Sequence, residues 1–266
     1  MSPLNLARLT CSEVEQEIKR LPVLIAPLGG CEPWGRFGTF GVASACAGAL
    51  ANALSEKMQV LCAPVLGFGC STPFMSFGGT AGIKPRTFTN IICETVRMWF
   101  FQGFRTIISI DALSENSEAL ELAERRLKLS HPDHTVVIFS LQKDTRVRAF
   151  IAGHVPGLEL GRTEYGMLSM AAWIDPGLVH ANEKEIVPAI TMDAARYRQW
   201  HKRGADPEQF RKQFPNGSTS NIASGFDAGF GKTLFEYILS VIEEKMASLK
   251  PRTPANRQPN APSNNC

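Results

Sequence analysis

The 266-residue chain lacks the features that assign a sequence to a specialised class at first sight. No run approaches the ~18 consecutive apolar residues of a membrane-spanning helix, which argues against a helical membrane protein. Its seven cysteines (Cys11, Cys31, Cys46, Cys62, Cys70, Cys93 and Cys266) form no CxxC pair and no disulfide-scaffold spacing. Most read as small apolar residues of a reducing compartment, the exceptions being Cys31 and Cys70, which fall inside glycine-rich loops. A net charge of only +3, dispersed along the chain, argues against nucleic acid or a membrane surface as a partner. There is no internal repeat at a solenoid period. The first twenty residues turn charged at Glu13, Glu15, Glu17 and Lys19 and lack the apolar core of an export signal, so a cytoplasmic protein is expected.

What is present is the balance of a globular protein, 44% hydrophobic and 20% charged, at a length normal for one α/β unit. Pro22–Leu28 (PVLIAPL), Met58–Leu66, Arg105–Ile110 (RTIISI) and His134–Phe139 (HTVVIF) read as strands buried on both faces. Helices are predicted from a Thr10 or Ser12 cap to about Arg20, then over Gly41–Lys57, Arg86–Gly103 and Glu115–Lys128. A last helix, Gly231–Leu249, puts Leu234, Ile238, Val241 and Ile242 on one face. The alternation predicts a three-layer α/β/α fold with a mainly parallel sheet. One domain is expected over residues 1–249, followed by a disordered Pro-, Asn- and Ser-rich tail, 250–266. Residues 183–216 carry no clear pattern. In parallel sheets the functional loops lie beyond the carboxyl ends of the strands. Loops 29–39, 67–80 and 111–116 should therefore meet at one edge.

Three local patterns invite sharper readings that their contexts do not support. Gly229-Phe230-Gly231-Lys232-Thr233 resembles a phosphate loop, but Phe226 stands where the first glycine is required and no strand precedes it. His131 and His134 flank a loop and read as exposed loop histidines rather than a metal pair. Met98, Trp99, Phe100 and Phe101 read as core or subunit interface.

The three loops carry a resemblance. After the first strand the chain reads Pro27-Leu28-Gly29-Gly30-Cys31-Glu32-Pro33-Trp34-Gly35, continuing to Gly41-Val42-Ala43. After the second, Gly69-Cys70-Ser71 leads to Phe77-Gly78-Gly79-Thr80. After the third, Gly103-Phe104-Arg105 having preceded it, comes Asp111-Ala112-Leu113-Ser114-Glu115-Asn116. In order and spacing these segments resemble the creatininase (creatinine amidohydrolase) family over roughly residues 5–247. The resemblance implies a creatininase-like fold and a homo-oligomer, often a hexamer. It also implies a site for two divalent metals, held by a Glu and a His of the first motif, its closing Asp, and a His and a Glu of the third.

Carried over residue by residue, that site is incomplete. Glu32 and Glu115 keep the glutamate positions, but Trp34 and Leu113 stand at the histidine positions and Ala43 at the aspartate. Neither an indole N–H, which only donates, nor an aliphatic chain can ligate a divalent ion. The family's acid–base segment corresponds to Glu159-Leu160-Gly161-Arg162-Thr163-Glu164, where Glu159 replaces the histidine and Glu164 keeps the glutamate. No metal and no cofactor are expected, and metal-activated hydrolysis of a cyclic amide is disfavoured.

Glu32, Asp111, Glu115, Glu159 and Glu164 are expected to gather at one edge, with Arg36 and Arg162 nearby. Clustered carboxyls raise one another's pKa, so that one stays protonated and serves as an acid. Glu32, Asp111, Glu115 and Glu164 are the catalytic candidates. Trp34, as a flat wall for a planar or cationic group, joins Cys31, Arg36, Ser71, Thr80, Glu159 and Arg162 as candidate substrate contacts. Three alternatives stay open: carboxylates that merely pair with Arg36 and Arg162, Cys31 as a nucleophile, or one Mg or Mn on Glu32, Asp111 and Glu115. The expected partner is a small-molecule substrate or ligand. Two functions remain: a repurposed metal-independent enzyme acting on a small nitrogenous or carbonyl substrate in a biosynthetic pathway, or a non-catalytic homologue that binds a ligand or supports a partner subunit.

Overall fold

Apolar runs too short to be helices, bounded by Pro and Gly, become the strands. The structure, a computed structural model, describes residues 3–155, 162–180, 206–218 and 226–247. Its strands are β1 (Leu4–Asn5), β2 (Val23–Leu28), β3 (Leu61–Cys62), β4 (Thr106–Asp111) and β5 (Thr135–Ser140), all parallel, in the order β1-β3-β2-β4-β5. The centre is β2 and β4, paired from Val23 opposite Thr106 to Leu28 opposite Asp111.

Eight α-helices are described: α1 (Cys11–Arg20), α2 (Val42–Met58), α3 (Pro85–Phe101), α4 (Ser117–Ser130), α5 (Thr145–His154), α6 (Arg162–Ile174), α7 (Pro207–Gln213) and α8 (Ala228–Ala247). Thr10 caps α1 in a capping box with Glu13, whose carboxylate accepts from the Thr10 amide at 2.7 Å. Alternate strand residues face opposite layers. Ile25, Cys62, Ile110 and Phe139 pack with α2, α5, α6 and α8, whereas Leu24, Leu61, Ile107 and Val136 pack with α1, α3 and α4. The expected α/β/α sandwich is thus formed, and both faces of the sheet are covered.

Several boundaries differ from the sequence expectation. The predicted Met58–Leu66 strand is regular only over Leu61–Cys62. Pro64 has no amide hydrogen, and pairing resumes as a single bridge between Leu28 and Leu66. The helix expected from Glu115 opens as a 3-10 turn, Ser114–Asn116, and becomes α4 at Ser117. Strand β1 and helices α5, α6 and α7 were not anticipated. The expected tail, 250–266, and residues 183–205 lie outside the described residues.

The local patterns also find their places. The Gly-Phe-Gly-Lys-Thr segment forms the first turns of α8, where a β-carbon on Gly231 would come within 1.9 Å of the Ser169 carbonyl oxygen. Its glycine serves close helix packing. His131 and His134 are half-buried rather than exposed, with ring centroids 5.3 and 4.2 Å from that of Phe100. Burial and the Arg105 charge push His134 down to about 4, so it is neutral at physiological pH.

Candidate functional site

The carboxyl ends of β2 and β4 deliver Gly29 and Asp111 side by side, and the loop after β3 folds back beside them. Asn116 ties the three loops together. Its Nδ2 donates to the Gly29 carbonyl at 3.3 Å and to Asp111 Oδ1 at 2.9 Å, and its Oδ1 accepts from the Cys70 amide at 2.8 Å. The side chain is fully buried, so each of these bonds replaces one that water would otherwise make. Asn116 closes the third sequence motif, but nothing in the sequence showed which groups it would reach.

Asp111 is fully enclosed. Its Oδ1 also accepts from the Leu113 amide at 3.3 Å, and its Oδ2 accepts from Ser140 Oγ at 2.9 Å. Burial pushes its carboxyl up to about 7, against the opposing pull of the hydrogen bonds from Asn116, Ser140 and Leu113.

Glu32 stands in the first loop, 1% exposed. Trp34 Nε1–H donates to its Oε1 at 2.8 Å, and Ser71 Oγ–H donates to its Oε2 at 3.0 Å. Burial, and next the charge of Glu115, push its carboxyl up to about 8; the two donors pull in the other direction without winning. A neutral carboxylic acid is thus the resting form of Glu32 at pH 7. Glu115 is half-buried and accepts a hydrogen bond from Ser114 Oγ at 2.8 Å.

Apolar side chains occupy two of the other motif positions. Leu113 is 2% exposed and lies over two glycines: a β-carbon on Gly30 or Gly69 would come within 2.7 or 2.8 Å of its Cδ2. Ala43 is fully buried in α2. The expectation that Trp34 offers an open wall changes: its ring is 6% exposed and belongs to the core, and its N–H is what it contributes to the site.

The remaining candidates ring this centre. Ser71 is fully buried. Cys31 is half-buried, with Sγ 3.6 Å from the Gly79 carbonyl oxygen, and its own carbonyl accepts from the Ala81 amide at 3.0 Å. Thr80 is half-buried on the same seam, and Arg36 is half-buried in the first loop. Glu164, in the first turn of α6, accepts from Ser218 Oγ at 2.9 Å, and a β-carbon on Gly35 would lie 3.2 Å from its Oε1. Glu164 therefore reaches the first loop from the opposite side. Glu159 and the side chain of Arg162 lie outside the described residues.

The order of these loops along a parallel sheet is matched by a family model, Creatininase (creatinine amidohydrolase), over residues 7–246. The chain belongs to the creatininase family. Solved structures similar in fold include one of creatinine amidohydrolase (creatininase), 21% identical, TM-score 0.74, covering 95% of this chain and 99% of that one. The structure named "Creatininase Mn" is 21% identical with TM-score 0.73, covering 92% and 97%. A Bacteroides fragilis NCTC 9343 protein described as a creatinine amidohydrolase is 15% identical with TM-score 0.68, covering 93% and 98%. No curated protein matches the sequence significantly.

The residues in place do not fit the dinuclear metal centre that the creatininase resemblance implies. Both oxygens of Glu32 accept from protein donors, Leu113 fills the space over Gly30 and Gly69, and Ala43 offers no lone pair. Among the described residues no three His, Cys, Asp or Glu side chains are grouped to hold an ion. Among the described residues, too, no helix is long and apolar enough to cross a membrane.

Proposed function

We propose that this creatininase-family chain is a metal-independent enzyme that performs acid–base chemistry on a small nitrogenous or carbonyl substrate. The observation that carries the reading is the asymmetry of two neighbouring carboxyls. Glu32 is enclosed, held by two donors and pushed up to about 8. Glu115 is half-buried, and its charge is the second cause of that rise. Pairs of titratable groups in contrasting environments divide acid and base roles in this way. In this reading Glu32 holds the proton at neutral pH, and Glu115 exchanges protons with the substrate. Asp111 and Asn116 fix the loop geometry, and Glu164 supplies a second carboxyl from α6. Cys31, Arg36, Ser71, Thr80, Glu159 and Arg162 are the proposed substrate contacts, and Trp34 acts through Glu32. A biosynthetic reaction in the cytoplasm and a homo-oligomer built on the exposed Met98 and Phe101 of α3 complete the proposal.

One observation favours a second reading. Glu32 and Asp111 are 1% and 0% exposed with their oxygens engaged by protein donors, which suits a carboxyl network that only locks the loops of a non-catalytic homologue. The discriminating experiment screens chelator-treated protein against a panel of small cyclic amides, amidines and carbonyl compounds. Turnover that falls at least 100-fold in Glu115→Gln supports the enzyme. Turnover that survives Glu32→Gln, Glu115→Gln and Glu164→Gln alike rejects it. No turnover of any compound, with thermal stabilisation by one of them, supports the binding homologue.

A further inference from the structure

Residues 206–218 form a small unit set against the site. Asp206 caps α7 by accepting from the Glu208 amide at 3.0 Å. Phe210 and Phe214 pack with Phe74 and Phe77 in a cluster separate from both main cores, with the Phe74 and Phe210 centroids 5.1 Å apart. Ser76 Oγ donates to Glu208 at 3.0 Å, Arg211 donates to the Ser76 carbonyl, and the Arg211 guanidinium lies 5.4 Å from the Phe77 centroid. One side of the unit is thereby fastened to the loop that follows Ser71.

The other side crosses the first loop. Gly217 turns with φ +74°, where a β-carbon would come within 2.7 Å of Pro33 Cγ and 3.7 Å of the Phe77 ring. Only glycine adopts that conformation without cost in so close an approach. Ser218 then donates to Glu164 Oε2 at 2.9 Å, directly above Gly35, whose β-carbon would lie 3.0 Å from Ser218 Cβ. Pro33 and Phe77 flank the seam at which Cys31 meets Gly79, one residue from Glu32. An aromatic anchor on one loop, a glycine turn over the next, and a hydroxyl on the far helix make the layout of a cover.

We propose that residues 206–218 are a cover over the acidic edge, latched by the Ser218 hydroxyl on the Glu164 carboxyl. The purpose of such a cover rests on the acid–base reading, but its existence does not. Access is read by the chain itself: half-buried Cys31 lies at the seam, two residues from Pro33, and exposed Cys11 serves as internal reference. Hydrogen–deuterium exchange of 206–218 and iodoacetamide alkylation of Cys31 relative to Cys11 are followed by mass spectrometry in the full-length protein, Ser218→Ala and Glu164→Ala. Both variants are expected to speed exchange of 206–218 and to raise Cys31 alkylation about fivefold, the factor that one lost hydrogen bond represents. The double variant should be no faster than either single one, because both remove the same contact. An unchanged Cys31 rate in either variant overturns the proposal, as does a double variant whose effect is the product of the two single effects. Because the experiment measures access and not turnover, its failure leaves the acid–base reading standing, and an absence of turnover leaves the cover standing.

Discussion

Trp34 donates its indole N–H to Oε1 of Glu32 at 2.8 Å, and the two side chains are 6% and 1% exposed. A histidine that ligates a metal presents a lone pair beside the glutamate, and the cation between them holds the carboxylate charged. An indole presents a proton instead. The exchange converts a carboxylate stabilised by a cation into a carboxyl stabilised by neutral donors, and neutral donors do not prevent burial from raising its pKa.

Removing the donor should sharpen that effect. In Trp34→Phe the hydrogen bond that favours the charged form of Glu32 is lost, so its titration moves above about 8. The protein should also lose about 1–2 kcal/mol at neutral pH. Carbon-detected NMR of labelled glutamate carboxyls reads the first quantity and urea unfolding the second. A titration that moves downward would contradict the assignment.

The raised carboxyls also predict how stability depends on pH. Glu32 is held above its ordinary value of 4.5, at about 8, so between those values the native state binds a proton that the unfolded chain has released. Stability therefore falls as pH rises through that window and levels off above it. Asp111 acts in the same direction between 3.8 and about 7. The slope is on the order of 1 kcal/mol per pH unit for each group. Glu32→Gln removes the titrating carboxyl while its amide oxygen still accepts from Trp34, and should flatten the upper part of the curve. Denaturant midpoints from pH 5 to 9 test this, and a wild-type stability that climbs across the window would reject it.

Asn116 should be among the most sensitive positions outside the apolar cores. Asn116→Leu leaves the Cys70 amide and the Gly29 carbonyl without the buried partner that Asn116 supplies, and Asp111 Oδ1 with only the longer bond from the Leu113 amide. A loss of about 3 kcal/mol or more is expected, with faster hydrogen exchange in all three loops. Exchange confined to the third loop would show that Asn116 does not join them.

Much of the fold was legible because local and global signals agree. The runs PVLIAPL and RTIISI became β2 and β4, and of the two candidate caps, Thr10 and Ser12, Thr10 caps α1. Elements made by context were not legible. Leu4–Asn5 counts as a strand only because the Leu61–Cys62 edge accepts it, and α5 starts from an Asp144 cap with no apolar period to announce it. The retained and lost motif positions of the site were readable residue by residue, but their consequences were not. That Trp34 turns its N–H to a residue two places earlier depends on the loop folding back as the Trp34–Gly38 bridge. That Asn116 outranks its neighbours depends on three distant loops meeting.

The lost ligand positions can be restored. Trp34→His, Ala43→Asp and Leu113→His together return lone pairs to the edge while leaving Glu32 and Glu115 in place. The triple variant should be destabilised alone, since it buries polar groups at Ala43 and Leu113, which are 0% and 2% exposed. Manganese or zinc at 100-fold excess over Kd should return on the order of 3 kcal/mol. The wild-type melting temperature should not respond to either ion.

The central claim is that hydrogen-bond donors from Trp34 and Ser71 stand at Glu32 in place of a metal pair. Metal content by plasma mass spectrometry, on protein purified without chelator and then dialysed against manganese or zinc, tests it most directly. The account predicts well under one divalent ion per chain. Two tightly held ions per chain, released only by chelator, would contradict it.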